Sequence, residues 1–188
     1  LITGAASGLG AACVDYFSAR NWPIAAIDLR WENPNAAEES ANIARYSADV
    51  CDEAAIRAAI ESANQRWGRP WGLIHCAGVL GAAKTVGRSG PHNLALFERV
   101  IRVNLIGTFN VARLAAQAMA AAEPDADGQR GVIVMTSSVA AEDGQMGQAA
   151  YAASKGGVAS MTLPMARDLA SLGIRVLSIA PGVFDTPM

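Results

Sequence analysis

The chain has 188 residues, of which 52% are hydrophobic and 17% are charged, and its formal net charge is -2. A chain of this length buries roughly 70% of the surface that its unfolded form exposes, so it can build a core without disulfides or a structural metal. The 15 basic and 17 acidic residues nearly cancel and are scattered, which argues against nucleic acid as a partner. No apolar run approaches the roughly 18 residues of a membrane span, so we expect no membrane segment.

The cysteine and histidine patterns argue against a disulfide framework and against a metal site. Cys13, Cys51 and Cys76 form no CxxC pair and are odd in number, which favours reduced thiols that act as small buried apolar residues. His75 and His92 lie far apart in sequence, without a companion cysteine cluster. The sequence therefore predicts no metal ligands.

Apolar, strand-like runs alternate along the chain with alanine-rich, helix-like segments. The strand-like runs cover 24–27, 72–76, 132–135 and 174–179, and the helix-like segments cover about 9–20, 53–67, 104–122 and 151–172. Most of the strand-like runs are continuously apolar, which is typical of strands covered on both faces. The alternation predicts an α/β fold with a Rossmann-like, doubly wound parallel sheet.

Turn-forming residues separate these elements at 33–35, 88–91 and 123–128, where the composition favours turns. Neither a repeat nor a second composition class interrupts the pattern, so we expect residues 1–188 to form a single domain. The sequence opens on Leu1 and Ile2, which read as the end of a strand already running into a turn. We therefore expect the natural chain to begin further upstream.

A glycine-rich turn follows the first strand and precedes the first helix. It reads Thr3-Gly4-Ala5-Ala6-Ser7-Gly8-Leu9-Gly10. Small residues at this position let backbone N–H groups approach a pyrophosphate, and the helix N-terminus adds partial positive charge. The spacing is GxxxGxG, which differs from the GxGxxG of the standard dinucleotide fingerprint. The loop predicts phosphate binding, and an ordinary glycine-rich turn is the alternative.

An acidic residue ends the second predicted strand. Asp28 lies 18 residues after Gly10, where a carboxylate can accept hydrogen bonds from an adenine ribose and would repel a 2′-phosphate. The position favours NAD over NADP, although Arg30, two residues further on, could contact a phosphate. A turn or helix-capping role for Asp28 is the alternative interpretation.

Hydroxyl and amine side chains follow the strand at 132–135. Ser138 comes at its carboxyl end, where open α/β sheets bind ligands, and the next helix carries Tyr151 and Lys155. A spacing of four residues brings two side chains onto one helix face, about 6 Å apart along the axis. A lysine ammonium beside a phenol favours the phenolate, which makes Tyr151 a candidate general base.

These residues together resemble the short-chain dehydrogenase/reductase family over essentially the whole chain. The matching positions occur in the family's order: Thr3-Gly4-xxx-Gly8-x-Gly10, Asp28, Asp49-Val50, Asn104, Ser138, Tyr151-xxx-Lys155, Pro181-Gly182 and Thr186. The resemblance implies an NAD-dependent oxidoreductase in which Ser138 binds the substrate oxygen, Tyr151 is the base and Lys155 holds the nicotinamide ribose.

The resemblance also implies roles for residues that local patterns do not explain. Asp49 and Val50 would line the adenine, Cys76-Ala77-Gly78 would flank the cofactor, and Pro181, Gly182, Val183 and Thr186 would orient the nicotinamide carboxamide. Asn104 would distort its helix and hold a water for proton transfer. The family commonly has two asparagines where this chain has His75-Cys76, so the usual side-chain tie between strands is in question here.

Segments in the second half resemble one group within that family more closely, the type II 3-hydroxyacyl-CoA dehydrogenases. They are 123–133, 144–151 and 161–170. This resemblance implies a 3-hydroxyacyl-CoA substrate, with Gln148 close to it. A steroid, a sugar or a 3-oxoacyl carrier substrate is the alternative, as is a non-catalytic NAD-binding scaffold.

The resemblance also bears on assembly, chain ends and location. The small residues of 104–122 and 151–172, including Gly156-Gly157, suit either core packing or a homodimer or homotetramer built on these helices. Family members usually continue beyond the position of Met188 into a segment that covers the substrate, so we expect the C-terminal part to be missing here. The alanine-rich composition favours a bacterial, cytoplasmic protein, and the resemblance implies the mitochondrial matrix if the source is eukaryotic.

Overall fold

A parallel sheet of six strands organises the chain. The computed structural model describes residues 1–31 and 41–186. The sheet strands are β1 (Ile2–Thr3), β2 (Ile24–Asp28), β3 (Ile43–Ser47), β4 (Gly72–His75), β7 (Gly131–Thr136) and β8 (Ile174–Ile179), and β5 (Val86–Gly87) with β6 (Gly90–Pro91) forms a separate antiparallel hairpin. The sheet order is β3-β2-β1-β4-β7-β8. The predicted doubly wound parallel sheet is thus confirmed.

Helices connect the strands and cover the sheet. They are α1 (Gly8–Ser18), α2 (Glu53–Trp67), α3 (Leu94–Ile101), α4 (Thr108–Ala120) and α5 (Ala149–Ala170), with a π-helical turn at Arg102–Gly107 and a short 3-10 turn at Val139–Ala141. The predicted segment 53–67 matches α2, and 9–20 and 151–172 match α1 and α5 within two residues. None of the described helices is long and apolar enough to cross a bilayer.

The larger of two buried hydrophobic clusters in the described residues lies between the sheet and helices α2, α4 and α5. Ile56 of α2, Val111 of α4 and Val158 of α5 are all fully buried and meet Leu73 and Ile133 of the central strands. The continuous run of β2 is buried on both faces, as its sequence predicts, whereas β8 exposes alternate residues such as Leu177. The expectation of two covered faces therefore does not hold for β8 within the described residues.

The sequence interpretation omitted one strand of the parallel sheet and placed one helix start wrongly. Strand β3 carries the exposed Arg45 between the buried Ala44 and the partly buried Tyr46, so it lacks the continuous apolar run used to recognise the other strands. The helix predicted at 104–122 is part of a helical segment that begins at Leu94, where Asn93 accepts hydrogen bonds from the N–H groups of Ala95 and Leu96.

Turns occupy two of the three predicted breaks. Residues 88–91 belong to the hairpin of β5 and β6, and Asp125 folds the 123–128 turn by accepting the N–H groups of Asp127 and Gln129. The break predicted at 33–35 lies outside the described residues.

The sheet order reverses direction between β1 and β4, and this reversal positions the site. β1 connects outward to β2 and β3, whereas β4 leads the opposite way to β7 and β8. Crossovers from adjacent parallel strands diverge at such a point and leave a crevice beyond the carboxyl ends of the strands. The glycine loop follows β1, Asp28 ends β2 and Ser138 follows β7, so all three meet at this edge.

Candidate active site

The glycine loop turns sharply between β1 and α1. Gly4 has φ +64°, and a Cβ there would lie 2.8 Å from the backbone nitrogen of Ala77. A Cβ on Gly10 would clash with the carbonyl oxygen of Gly4. Any side chain at these two positions would push the loop away from the end of β4 or from its own helix, which explains why both are glycine.

The first turn of α1 faces the crevice with its backbone N–H groups. Ser7 precedes the helix in an extended conformation, and among the described residues no side chain caps this N-terminus. A helix N-terminus that has no side-chain cap and follows a glycine-rich loop leaves backbone N–H groups free to bind phosphate oxygens. The arrangement therefore fits the pyrophosphate of a dinucleotide.

Asp28 is held against the same loop. Its Oδ2 accepts the N–H of Ala6 at 3.0 Å, and its Oδ1 accepts the N–H of Arg30 at 3.2 Å. Each carboxylate oxygen has a further lone pair that can accept from a ribose hydroxyl. The backbone N–H of Ala48 donates to the main-chain carbonyl of Asp28 at 2.8 Å, and the segment 48–51 lines the same cleft as Asp28.

A cleft of about 700 Å³ joins these features. Most of the residues predicted to bind cofactor or substrate line it: Gly4, Ser7, Gly8, Leu9, Gly10, Asp28, Asp49, Val50, Cys76, Ala77, Gly78, Ser138, Gln148, Tyr151, Lys155, Pro181, Gly182, Val183 and Thr186. Thr3 and Asn104 do not line the cleft; both are fully buried behind its wall. Their side chains are therefore not part of the exposed cleft surface.

Helix α5 presents Tyr151 and Lys155 to the cleft. The Lys155 Nζ lies 5.7 Å from the centre of the Tyr151 ring and donates to the carbonyl of Thr136 at 2.7 Å. Lys155 is 4% exposed, and burial lowers its pKa to about 8. A buried amine fixed beside a phenol at a sheet edge has the arrangement needed for proton transfer.

Ser138 lies opposite, between β7 and the 3-10 turn. Its Oγ accepts the N–H of Ala140 at 3.1 Å, which fixes the hydroxyl at the start of that turn. The neighbouring Ser137 is buried and donates to the Lys155 carbonyl at 2.8 Å. Ser137 therefore ties β7 to α5, a contact that the sequence interpretation did not predict.

Asn104 lies within the π-helical turn, where one extra residue widens the helix. Its Oδ1 accepts the N–H of Val79 at 2.8 Å, and its Nδ2 donates to the Val79 carbonyl at 2.9 Å and to Ser154 Oγ at 3.1 Å. The helix distortion expected at Asn104 is present. Ser154, which links this turn to α5, was not predicted, because nothing in the local sequence marks it.

His75 makes the side-chain tie that its replacement of the family's asparagine had put in question. Its Nδ1 lies 2.9 Å from Thr3 Oγ1, which also accepts the N–H of Ala77 at 3.3 Å. Its Nε2 finds no hydrogen-bond partner within the described part of the chain. Burial, with a smaller contribution from the Lys155 charge, lowers the pKa of His75 to about 3, so the ring that joins β1 to β4 is neutral.

The cysteines are less buried than the sequence suggested. All three are free and only partly buried, and Cys51 and Cys76 line the cleft. Burial is nevertheless the largest influence on Cys76 and raises its thiol pKa to about 11. Over residues 1–31 and 41–186, no cluster of three or more His, Cys, Asp or Glu side chains could hold a metal ion.

The site thus brings a glycine-rich loop, an acidic side chain, and a hydroxyl, phenol and amine set into one cleft, which is the arrangement of an alcohol–carbonyl oxidoreductase that uses a nicotinamide cofactor. The sequence matches the short chain dehydrogenase family over residues 1–188. The chain belongs to this family of oxidoreductases.

Three relatives show where in the family the chain lies. It is 50% identical to 3-hydroxyacyl-CoA dehydrogenase type-2 of Bos taurus over 196 residues, which covers 100% of this chain and 74% of the bovine protein. It is 47% identical to the enzyme of the same name from Drosophila melanogaster over 192 residues, which covers 100% and 75% of the two chains. The crystal structure of 3-hydroxyacyl-CoA dehydrogenase type-2 from Mycobacterium avium matches with a TM-score of 0.92 at 43% identity, covering 98% of this chain and 74% of that one.

Proposed function

We propose that this chain transfers hydride between NAD and the 3-hydroxyl carbon of a 3-hydroxyacyl-CoA. The observation that carries the proposal is the convergence of Ser138, Tyr151 and Lys155 on the cleft that also holds the glycine loop. The substrate class is supported by the names of the relatives that match the whole chain at 47% and 50% identity.

Residues on both sides of the cleft would hold the cofactor. The N–H groups at the start of α1 suit the pyrophosphate, Asp28 the adenine ribose and Lys155 the nicotinamide ribose. Residues 181–183 and Thr186 line the end of the cleft assigned to the carboxamide. When bound, the nicotinamide ring supplies the carbon that accepts or returns a hydride.

The protein's own groups manage the proton. The Oγ of Ser138 already accepts the N–H of Ala140, so its hydroxyl proton is available to donate to the substrate oxygen. Tyr151 removes the proton from the substrate hydroxyl in oxidation and returns it to the carbonyl in reduction. The Lys155 ammonium, placed by Thr136, favours the phenolate form. The direction of the reaction follows the redox ratio and pH.

A substrate series with a Tyr151→Phe control tests this function. We expect NADH formation with 3-hydroxyacyl-CoA substrates and much slower turnover with steroid, sugar or acyl carrier substrates. Tyr151→Phe should lower kcat by about 10²- to 10⁴-fold, the contribution of a positioned general base, while NADH binding stays the same. Faster turnover with another class of substrate would refute the proposed 3-hydroxyacyl-CoA specificity. NADH binding without turnover on any substrate would make the chain a scaffold.

The Asp28 carboxylate supports NAD over NADP. A 2′-phosphate on the adenine ribose would meet this carboxylate, and close like charges cost several kcal/mol. We expect NADH to bind at least about tenfold more tightly than NADPH in a fluorescence titration, and Asp28→Asn to narrow the difference. Tighter binding of NADPH by the wild type would mean that Arg30 decides the choice instead.

Exposed apolar side chains support assembly of copies through α4 and α5. Ile106 and Phe109 lie on one side of the π-helical turn and α4, and Leu163 lies on α5; all three are about half exposed. Gly157 does not contribute a free surface, because a Cβ there would lie 2.8 Å from Leu105 of the same chain. We expect a dimer or tetramer in analytical ultracentrifugation, which Phe109→Glu weakens. A wild-type monomer at micromolar concentration would refute this assembly.

A further inference from the structure

One wall of the cleft is a short connection between β3 and α2. Residues 48–51 line the cleft beside Asp28, and Ala48 is hydrogen bonded to the Asp28 carbonyl. In the proposed function, this wall faces the adenosine half of the dinucleotide. A connecting segment needs outside support to keep one position, and here the support comes from α4.

Asn110 of α4 provides a direct contact to this wall. Its Nδ2 donates to the carbonyl of Val50 at 2.9 Å, a hydrogen bond between groups 60 residues apart in sequence. Asn110 and Val50 are each 7% exposed. A buried carbonyl that lost this donor would have to find another partner or move.

The orientation of the Asn110 amide is itself determined. Its Oδ1 accepts from the Arg113 guanidinium at 2.7 Å, and arginine can only donate. The oxygen must therefore face Arg113, which turns the NH₂ group toward Val50. Arg113 is held in turn by Glu53, which also pairs with Arg57 at 2.9 Å on α2.

Two further contacts join residues 48–51 to the π-helical turn that precedes α4. A Cβ on Gly107 would lie 2.6 Å from Val50 Cγ2, so the helix and the wall are in direct contact there. The Cys51 Sγ donates to the carbonyl of Arg102 at 3.2 Å, and the Cys51 N–H donates to Asp49 Oδ1 at 2.8 Å. These contacts to the π-helical turn are made by the side chains of Val50 and Cys51, whereas Asn110 holds the backbone carbonyl of Val50.

We propose that Asn110, oriented by Arg113, is a positioning residue for cofactor affinity: its hydrogen bond to the Val50 carbonyl fixes the wall of the cleft that receives the adenosine half of the dinucleotide. Asn110 touches neither the reacting atoms nor the catalytic side chains. The inference rests on the proposed dinucleotide-dependent function and adds to it a residue on α4, outside the glycine loop and the Tyr151–Lys155 pair.

Binding of cofactor fragments separates this role from a general loss of structure. We expect Asn110→Ala to raise the Kd for NADH and for ADP-ribose about tenfold, the loss typical of one buried hydrogen bond to a fixed group. The Kd for reduced nicotinamide mononucleotide, which lacks the adenosine half, should not change. In steady-state assays, KM for NAD should rise and kcat at saturating NAD should stay within about twofold, because the catalytic groups are untouched.

Two further variants test the donor and its orientation. Asn110→Asp keeps an acceptor for Arg113 but removes the NH₂ donor, so it should weaken ADP-ribose binding at least as much as Asn110→Ala. Arg113→Met, at an exposed position, leaves Asn110 free to turn, and it should raise the Kd for ADP-ribose about threefold even if the Asn110 variants fail to fold. Gln117→Ala is the matched control, because Gln117 links α4 to Arg57 without contacting the wall.

The outcomes are distinct. Unchanged ADP-ribose affinity in Arg113→Met and in the Asn110 variants that fold would refute the positioning role. Equal losses for ADP-ribose and nicotinamide mononucleotide would also refute it, since they would indicate a general structural effect. Failure of the wild type to bind NADH and ADP-ribose at all would instead refute the proposed function.

Discussion

Acid should destabilise this protein through one buried histidine. His75 is 1% exposed, and burial lowers its pKa from 6.5 to about 3. Below pH 6.5 the unfolded chain takes up a proton at this residue that the folded chain does not bind. The stability conferred by the neutral ring is therefore complete above pH 6.5 and is lost as pH falls from 6.5 toward 3.

Linkage gives the size of the effect. At pH 5 the unfolded-state pKa lies about 1.5 units above the pH, and at about 1.4 kcal/mol per unit the free energy of unfolding falls by about 2 kcal/mol. At pH 4 the loss grows to about 3 kcal/mol. A loss of this size is a large part of the 5–15 kcal/mol typical of a folded domain.

Urea unfolding of the wild type and of His75→Asn at pH 7.5 and pH 5 measures this contribution. Asparagine can still form a hydrogen bond with Thr3 but does not titrate. The difference between the two proteins therefore isolates His75, because all other titrating groups change the free energy of unfolding of both proteins alike. We expect the wild type to lose about 2 kcal/mol more than the variant between the two pH values. An equal loss in both proteins would show that the His75 ring accepts its proton in the folded state.

Two other predictions concern the cleft. Lys155→Met should lower kcat by about 10²-fold or more, yet raise the free energy of unfolding at pH 7 by about 2 kcal/mol. The pKa of Lys155 is about 8 in the folded chain against 10.5 for an ordinary lysine, so the buried charge lowers stability below pH 8, and this loss disappears only as pH rises from 8 toward 10.5. Urea unfolding and kcat measurements test both effects, and a destabilised variant would contradict the cost of burying the charge. Cys76, with a thiol pKa of about 11, should be alkylated by iodoacetamide at pH 7.5 at least about 100-fold more slowly than free cysteine. Mass spectrometry of the Cys76 peptide follows the rate, and labelling as fast as free cysteine would show that the thiol is solvated.

The parts of the fold that the sequence predicts well are those whose signals are local. The continuous apolar run of β2, the glycine loop and the four-residue spacing of Tyr151 and Lys155 each lie within one element, so pattern and structure agree. Strand β3 was missed because Arg45 interrupts its apolar pattern, and its pairing with β2 supplies what the pattern lacks. The helix start at Leu94 was not predicted, although Asn93 caps the helix there by accepting the N–H groups of Ala95 and Leu96.

Supporting residues of the site are harder to predict, since they act across long sequence distances. Asn104 was found only through the family resemblance, and its partners Val79 and Ser154 lie 25 and 50 residues away. Asn110 bonds to Val50 over 60 residues, and an asparagine inside a helix gives no local sign of such a contact. His75 was recognised as a departure from the family pattern, but only the structure shows that Thr3 completes its tie.

Several locally unfavourable features occur together at the carboxyl edge of the sheet. The first turn of α1 lacks a side-chain cap among the described residues, Lys155 is buried, and the helix widens at Asn104. Each costs stability where it stands, and natural sequences retain such costs mainly where a site needs them. A ligand that contacts the α1 N-terminus and Lys155, which line the cleft, should recover part of the cost. Binding to the folded state stabilises it by RT ln(1 + [L]/Kd), so NADH at 100 times its Kd should raise the free energy of unfolding by about 2.7 kcal/mol. ADP-ribose, which lacks the nicotinamide, should raise it by the same amount at 100 times its own Kd.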